Sequence, residues 1–192
     1  TWNLYPQNKA LIDSSVGIYG KNLWDDYLKA LQLKIPLDEL ANKYQIKYFL
    51  LTHTHPDSHL LIRQLTRQKN WKLIYLDEIS LIFIEDMKEN QNVVREYQLD
   101  FQQSLKNLTQ KIDVQEIDLL MKLTDFLEFL GEFKLTESSI RRLIIFLPKE
   151  AQFYYRLGIV YYEQGLIEEA IDAYKKAWEL RGDYFGTHYA LG

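Results

Sequence analysis

Apolar residues recur along this chain with two different periods, and the change of period divides it. Over residues 22–33, Leu23, Tyr27, Ala30 and Leu31 stand at helical spacing. Over residues 36–44, Leu37, Leu40, Ala41 and Tyr44 repeat that pattern, with Pro36 near a first turn. Residues 46–52 are a continuous apolar run of the kind that fills a strand covered on both faces. Pro56 restarts a helix that runs to Arg67, and residues 71–75 and 80–84 read as two more strands. The short polar step through Asp77 and Glu78 between them favours a hairpin over a crossover. An earlier run, residues 9–13, reads as a strand opening into Ser14, Ser15 and Gly17. Residues 1–86 are therefore expected to form a small layered α/β domain.

Polar and charged residues 86–91 interrupt the pattern and mark the expected domain boundary. From 92 to 111, Val93, Val94, Tyr97, Phe101, Leu105 and Leu108 keep helical spacing, so residues 87–116 read as one long bridging helix. Beyond it the chain repeats. Gly131 and Gly165 stand 34 residues apart, and Leu123, Leu157 and Leu191 recur with the same period, as do Leu120, Tyr154 and His188. Residues 151–184 carry Tyr154, Leu157, Gly158, Tyr161, Gly165, Ala170, Tyr174 and Ala177. That set resembles the tetratricopeptide (TPR) repeat, a hairpin of two helices in which small residues such as Gly158 and Ala170 face large ones such as Tyr161 and Tyr174. Gly182 stands where that family usually has proline, although Pro148 holds the slot one unit earlier. Residues 117–150 are a degenerate unit with Thr124 and Thr136 at the small positions, and residues 185–192 begin a truncated third.

The resemblance implies an all-α solenoid of hairpins over residues 117–192, serving protein binding and not catalysis. It also implies a protein or peptide partner on a concave face lined by the first helix of the hairpin, here through Gln152, Tyr155, Ile159, Tyr162 and Glu163. Those positions lack the Lys and Asn of repeats that clamp a C-terminal carboxylate, so a hydrophobic segment or another domain is the expected partner, with packing on a further repeat or on the first domain as the alternative.

Composition narrows the function classes. With 23 basic against 27 acidic residues, a formal charge of −4 and no basic face, nucleic acid is a poor partner. Cysteine is absent, which removes disulfides, thiolate nucleophiles and Cys-based zinc sites. Apolar residues make up 47%, enough for a packed core. The longest apolar runs, such as residues 79–84, are strand-sized, far below the roughly eighteen residues of a membrane helix. The chain starts at Thr1 and stops inside a repeat, and so reads as a piece of a longer protein. No glycine-rich phosphate loop or Ser-His-Asp arrangement is present, and no cofactor is expected. Asp25-Asp26 and Glu168-Glu169 lie on helices where adjacent side chains diverge, so no catalytic residue is named. Asn107-Leu108-Thr109 fits a glycosylation sequon.

Two further resemblances concern the first domain. Thr52 to His59 reads Thr-His-Thr-His-Pro-Asp-Ser-His directly after a strand, and is similar to the metallo-β-lactamase zinc signature. It implies a metal-dependent hydrolase with His53, His55, Asp57 and His59 as candidate ligands. The pattern departs from that family where Ser58 is inserted before His59 and where Leu60 and Leu61 replace a glycine pair. The one other histidine, His188, lies inside a repeat. The preferred reading is a strand-to-helix loop without metal, with Asp57 an acidic residue of the first turn. Residues 2–85 resemble the soluble region that follows the last membrane helix of multispanning glycosyltransferases using polyprenyl-linked sugars. The shared words are Trp2 to Pro6, Ile12-Asp13, Tyr19-Gly20, Asp26-Tyr27, Ile46 to Leu50 and Trp71 to Tyr75, with Ser14-Ser15 where an arginine is often found. This implies an accessory domain on the extracytoplasmic face of a membrane, with catalysis in a membrane region of the parent. A cytoplasmic scaffold is the alternative.

Overall fold

A computed structural model describes residues 21–113 and 116–181. The strand expected at residues 9–13, the words between Trp2 and Gly20, and the truncated repeat at 185–192 lie outside the described residues. Two compact units divide the chain. The first takes residues up to 52, 57–75 and 81–99; the second takes 53–56, 76–80 and everything from 100 onward.

The first unit begins with two helices, α1 (Lys21–Leu31) and α2 (Leu37–Tyr44). Pro36 occupies the N-cap of α2 with ψ 140° and with φ −62°, the value its ring imposes. Asp26 of α1 pins the two helices together. Its carboxylate accepts from Lys43 Nζ at 2.6 Å, Tyr44 Oη at 2.9 Å and Lys29 Nζ at 3.1 Å. These bonds, that from Lys43 above all, hold the Asp26 carboxyl well below the usual carboxylate range.

A three-stranded sheet follows: β1 (Tyr48–Thr52), β2 (Trp71–Leu76) and β3 (Ser80–Glu85), in the order β1-β3-β2. Glu85 N–H pairs with Lys47 O at one end of β3 and His53 N–H pairs with Ile79 O at the other, so β3 runs antiparallel to β1. The turn from β2 into β3 closes through Asp77 N–H to Ser80 O at 3.0 Å. The Asp77 carboxylate accepts from the backbone N–H groups of Ile79 and Ser80, at 2.9 and 2.7 Å. The expected hairpin is therefore present. β1 and β2 flank β3, and α3 (His59–Arg67), entered through a short 3₁₀ turn at Pro56–Ser58, makes the crossover of a split β-α-β unit.

Burial along the sheet alternates. Phe49 and Leu51, Trp71 and Leu73, and Leu81 and Phe83 are buried, and with Leu37, Leu40, Leu61, Ile62 and Leu65 they form the core of this unit. The Phe49 and Trp71 rings meet at 4.8 Å with a 58° tilt. The run at 46–52 is thus not covered on both faces as expected, since Leu50 is 47% exposed. In an antiparallel sheet one face suffices, and an unbroken apolar run cannot report which residues face out.

The single helix expected at 92–111 is two helices. α4 (Gln91–Tyr97) stops where Gln98 leaves the helical region at φ −58°, ψ 129°. Leu99 N–H then bonds Leu73 O at 2.8 Å. Asp100 starts α5 (Phe101–Lys111) as an N-cap whose carboxylate accepts from Gln103 N–H at 2.7 Å. The apolar positions keep their spacing in the sequence across this break.

The second unit continues with α6 (Ile117–Leu130), α7 (Phe133–Phe146), α8 (Ala151–Glu163) and α9 (Ile167–Leu180). α6 and α7 form one hairpin and α8 and α9 another, closed by the same turn. Gly131 and Gly165 adopt φ 78° and 77°, a left-handed conformation open to glycine at little cost. In each turn two backbone bonds recur: Gly131 N–H to Glu128 O with Glu132 N–H to Leu127 O, and Gly165 N–H to Tyr162 O with Leu166 N–H to Tyr161 O. The degenerate unit is therefore a hairpin of the same build. Its Thr124 and Thr136 are buried, with hydroxyls donating to Leu120 O and Glu132 O. No helix among the described residues is long and apolar enough to cross a membrane. In the folded chain Thr109 of the sequon is buried with its hydroxyl bonded to Leu105 O.

One residue of α7 closes the end of α5. The Arg142 guanidinium donates to the carbonyls of Thr109 and Ile112, which the end of α5 leaves without helical partners. Replacing Arg142 with alanine is expected to cost about 1–3 kcal/mol in a denaturant melt of the second unit. Lysine should recover only part of that loss, because one ammonium cannot fork across two carbonyls.

Candidate partner-binding face of the helical hairpins

The hairpin α8–α9 is set by one close approach. Gly158 lies under the Tyr174 ring, and a Cβ added there would stand 2.4 Å from Tyr174 Cε1, 2.5 Å from Cδ1 and 2.9 Å from Cζ. Only a residue without a side chain lets α9 come this near. Tyr174 is buried, and burial pushes its phenol above the ordinary tyrosine value. Tyr174 also meets the Tyr155 ring, with centroids 5.5 Å apart and a 43° tilt.

The five residues expected to contact a partner share one side of α8. Gln152 and Tyr155 are half-buried, Ile159 is 39% and Tyr162 61% exposed, and Glu163 is exposed. Their spacing of three and four residues places them in one stripe. Large apolar surface left open on a helix is a feature of interaction sites. A shallow cleft of about 420 Å³, lined by Lys149, Glu150, Gln152 and Arg181 among others, adjoins the stripe where α8 begins and α9 ends.

A second set of contacts joins the two hairpins. Arg156 of α8 donates from Nη2 to Asp125 Oδ1 at 2.7 Å and from Nε to Glu128 Oε1 at 2.8 Å, both on α6. Tyr161 donates to Glu137 Oε1 of α7 at 3.2 Å, and Arg141 of α7 binds both the same carboxylate and the Tyr161 hydroxyl. Of these residues Tyr161 alone stood out in the sequence, as a position of the repeat.

The histidine-rich segment is not gathered into a metal site. His53 is fully buried; its ring stacks on Phe126 of α6 at 5.4 Å, and Nε2 lies 2.9 Å from Asp77 O. A packed ring held this way is committed to the core of the second unit. His55 sits in the following loop, Asp57 in the 3₁₀ turn, and His59 is buried as the first residue of α3. Among the described residues no group of three or more His, Cys, Asp or Glu side chains could hold a metal ion.

Residues 151–184 match the tetratricopeptide repeat. The TPR match coincides with α8, α9 and their turn, and Gly158 against Tyr174 is the small-to-large contact expected of it. TPR units commonly bind protein partners, and the hairpin described above is of that kind. No curated protein matches the chain.

Gly158→Ala provides a direct check on this packing. A glycine-to-alanine change in an open helix stabilises by about 0.5–1 kcal/mol. Here the clash with a buried ring outweighs that gain, and a net loss of about 1–2 kcal/mol is expected in thermal or denaturant unfolding. Combining it with Tyr174→Leu should cost less than the sum of the two single changes, and strict additivity would show that the two residues do not touch.

Proposed function

We propose that this chain is a protein-interaction module that holds an apolar segment of a partner on the concave side of its TPR array, through Gln152, Tyr155, Ile159, Tyr162 and Glu163. The observation that carries this reading is the exposure of Ile159 and Tyr162 on the first helix of a matched TPR unit. Two such side chains side by side offer a partner area to bury, and Tyr162 adds a hydroxyl that can bond its backbone. Glu163 at the end of the stripe and the absence of Lys from the five positions disfavour an anionic partner.

The reading can be checked with peptides selected from a random display library against the whole chain. Ile159→Asp with Tyr162→Asp is expected to weaken their binding at least tenfold, about 1.4 kcal/mol. Ile145→Asp, at an equally open apolar site on α7, should leave it unchanged. Binding that survives the double change, or that depends on a free peptide carboxylate, would sink the proposal.

We also infer a setting for the module from the resemblance of residues 2–85 to the soluble tail of polyprenyl-linked-sugar glycosyltransferases. Residues 1–86 would then be an accessory domain on the extracytoplasmic face of a membrane, with 87–116 leading into the repeats. A topology reporter fused after Gly192 in the full-length gene product is expected to report the extracytoplasmic side. A cytoplasmic signal would favour the scaffold alternative instead.

A further inference from the structure

Charge is unevenly placed on the helices of the second unit. The second helices of the two hairpins, α7 and α9, carry five acids and five bases between them, whereas the first helices, α6 and α8, carry four acids and two bases. Both of those bases are engaged: Lys122 Nζ lies 2.7 Å from Asp118 Oδ2, and Arg156 is shared between Asp125 and Glu128. One guanidinium against two carboxylates leaves a negative charge over. Exposure adds to the imbalance, since the Arg156 side chain is 18% open while those of Asp125 and Glu128 are 55% and 35% open. A ligand arriving here meets carboxylate oxygen before it meets the guanidinium. The fourth acid, Glu163, is exposed at the end of α8, and among the described residues no Lys or Arg pairs with it.

These acids border the apolar stripe. Arg156 stands one turn before Ile159 and brings Asp125 and Glu128 to that edge, and Glu163 directly follows Tyr162 at the other. From Arg156 to Glu163 the helix rises about 10 Å, which an extended segment spans in about three residues. We propose that the segment held on this face carries Lys or Arg on either side of its apolar residues. One cation meets Asp125 and Glu128, the other meets Glu163, and the apolar side chains between them cover Ile159 and Tyr162. The inference rests on the partner-binding reading above and gives that partner its chemistry. A wholly apolar segment would strip water from these carboxylates and return nothing for it. A basic one compensates their charge and is drawn toward the face before contact.

Peptides selected on the intact chain from an unbiased display library, then synthesised and titrated by fluorescence anisotropy, provide the test. Those that require Ile159 and Tyr162 are expected to be enriched over the starting library in Lys and Arg beside apolar residues. Glu163→Gln should lower their affinity about threefold, the size of one exposed ion pair, and Asp125→Asn, which leaves Arg156 its bond to Glu128, should do the same. Glu163→Lys should lower it about tenfold, and a peptide with one cation replaced by Glu should recover the loss. Rising salt should weaken binding to the wild type more than to Glu163→Gln. Peptides that need Ile159 and Tyr162 but carry no excess of cations, or that bind wild type and Glu163→Gln alike, overturn the basic partner and leave the apolar face standing. Peptides indifferent to Ile159→Asp with Tyr162→Asp, or a selection that returns none, sink the face itself and this inference with it. Should Asp125→Asn loosen the joint between α6 and α8, Glu163→Gln alone still decides, since Glu163 takes no part in that joint.

Discussion

The close approach of the two helices in the C-terminal hairpin depends on the missing side chain at position 158. With no Cβ there, the Tyr174 ring settles onto the α8 backbone, where it also meets the Tyr155 ring. A packed interior transmits such a constraint because it has few voids to absorb a shift. The degenerate unit meets the same requirement differently. Thr124 and Ile140 hold the positions equivalent to Gly158 and Tyr174, both fully buried, so a larger residue on one helix is matched by a smaller one on the other. The sum across the hairpin is conserved in bulk even where the sequence signature has faded.

Between hairpins the chemistry is polar and specific. Arg156 is largely covered and has two carboxylates in reach, so its charge is compensated by hydrogen bonds as well as by proximity. That arrangement fixes the register of α8 on α6, because sliding by one turn would part the guanidinium from both acids. Tyr161, Glu137 and Arg141 add a second polar point on α7. The surface beyond, at Ile159, Tyr162 and Ile171, has no such register marks and is apolar.

The parts of the fold legible in the sequence were those written in a period or in turn chemistry. The 34-residue repeat located both hairpins, and Asp77 with Ser80 located the β2–β3 turn. The break between α4 and α5 was written too, in Asp100 and its bond to Gln103, but apolar positions that keep their spacing across it outweighed it. Which side of residues 46–52 faces solvent was not legible, because Tyr48, Phe49, Leu50 and Leu51 are all apolar enough to be buried. The histidine segment misleads for a related reason. A motif records residue types in order, whereas His53 is decided by Phe126, seventy-three positions away, whose ring it stacks on. That Gln152, Tyr155, Ile159, Tyr162 and Glu163 share one side of α8 was readable from the repeat, but the pairing of Arg156 with its two acids was not, since ion pairs between helices leave no mark in local spacing.

The account rests on the Gly158 to Tyr174 approach, and nuclear Overhauser spectroscopy of the intact chain tests it most directly. Strong cross-peaks between the Gly158 α-protons and the Tyr174 ring protons are expected, with the α-protons shifted upfield by the ring that covers them. Helical signals from both α8 and α9 without those cross-peaks would mean that the helices form but do not close on each other, and would contradict the packing from which the binding face is built.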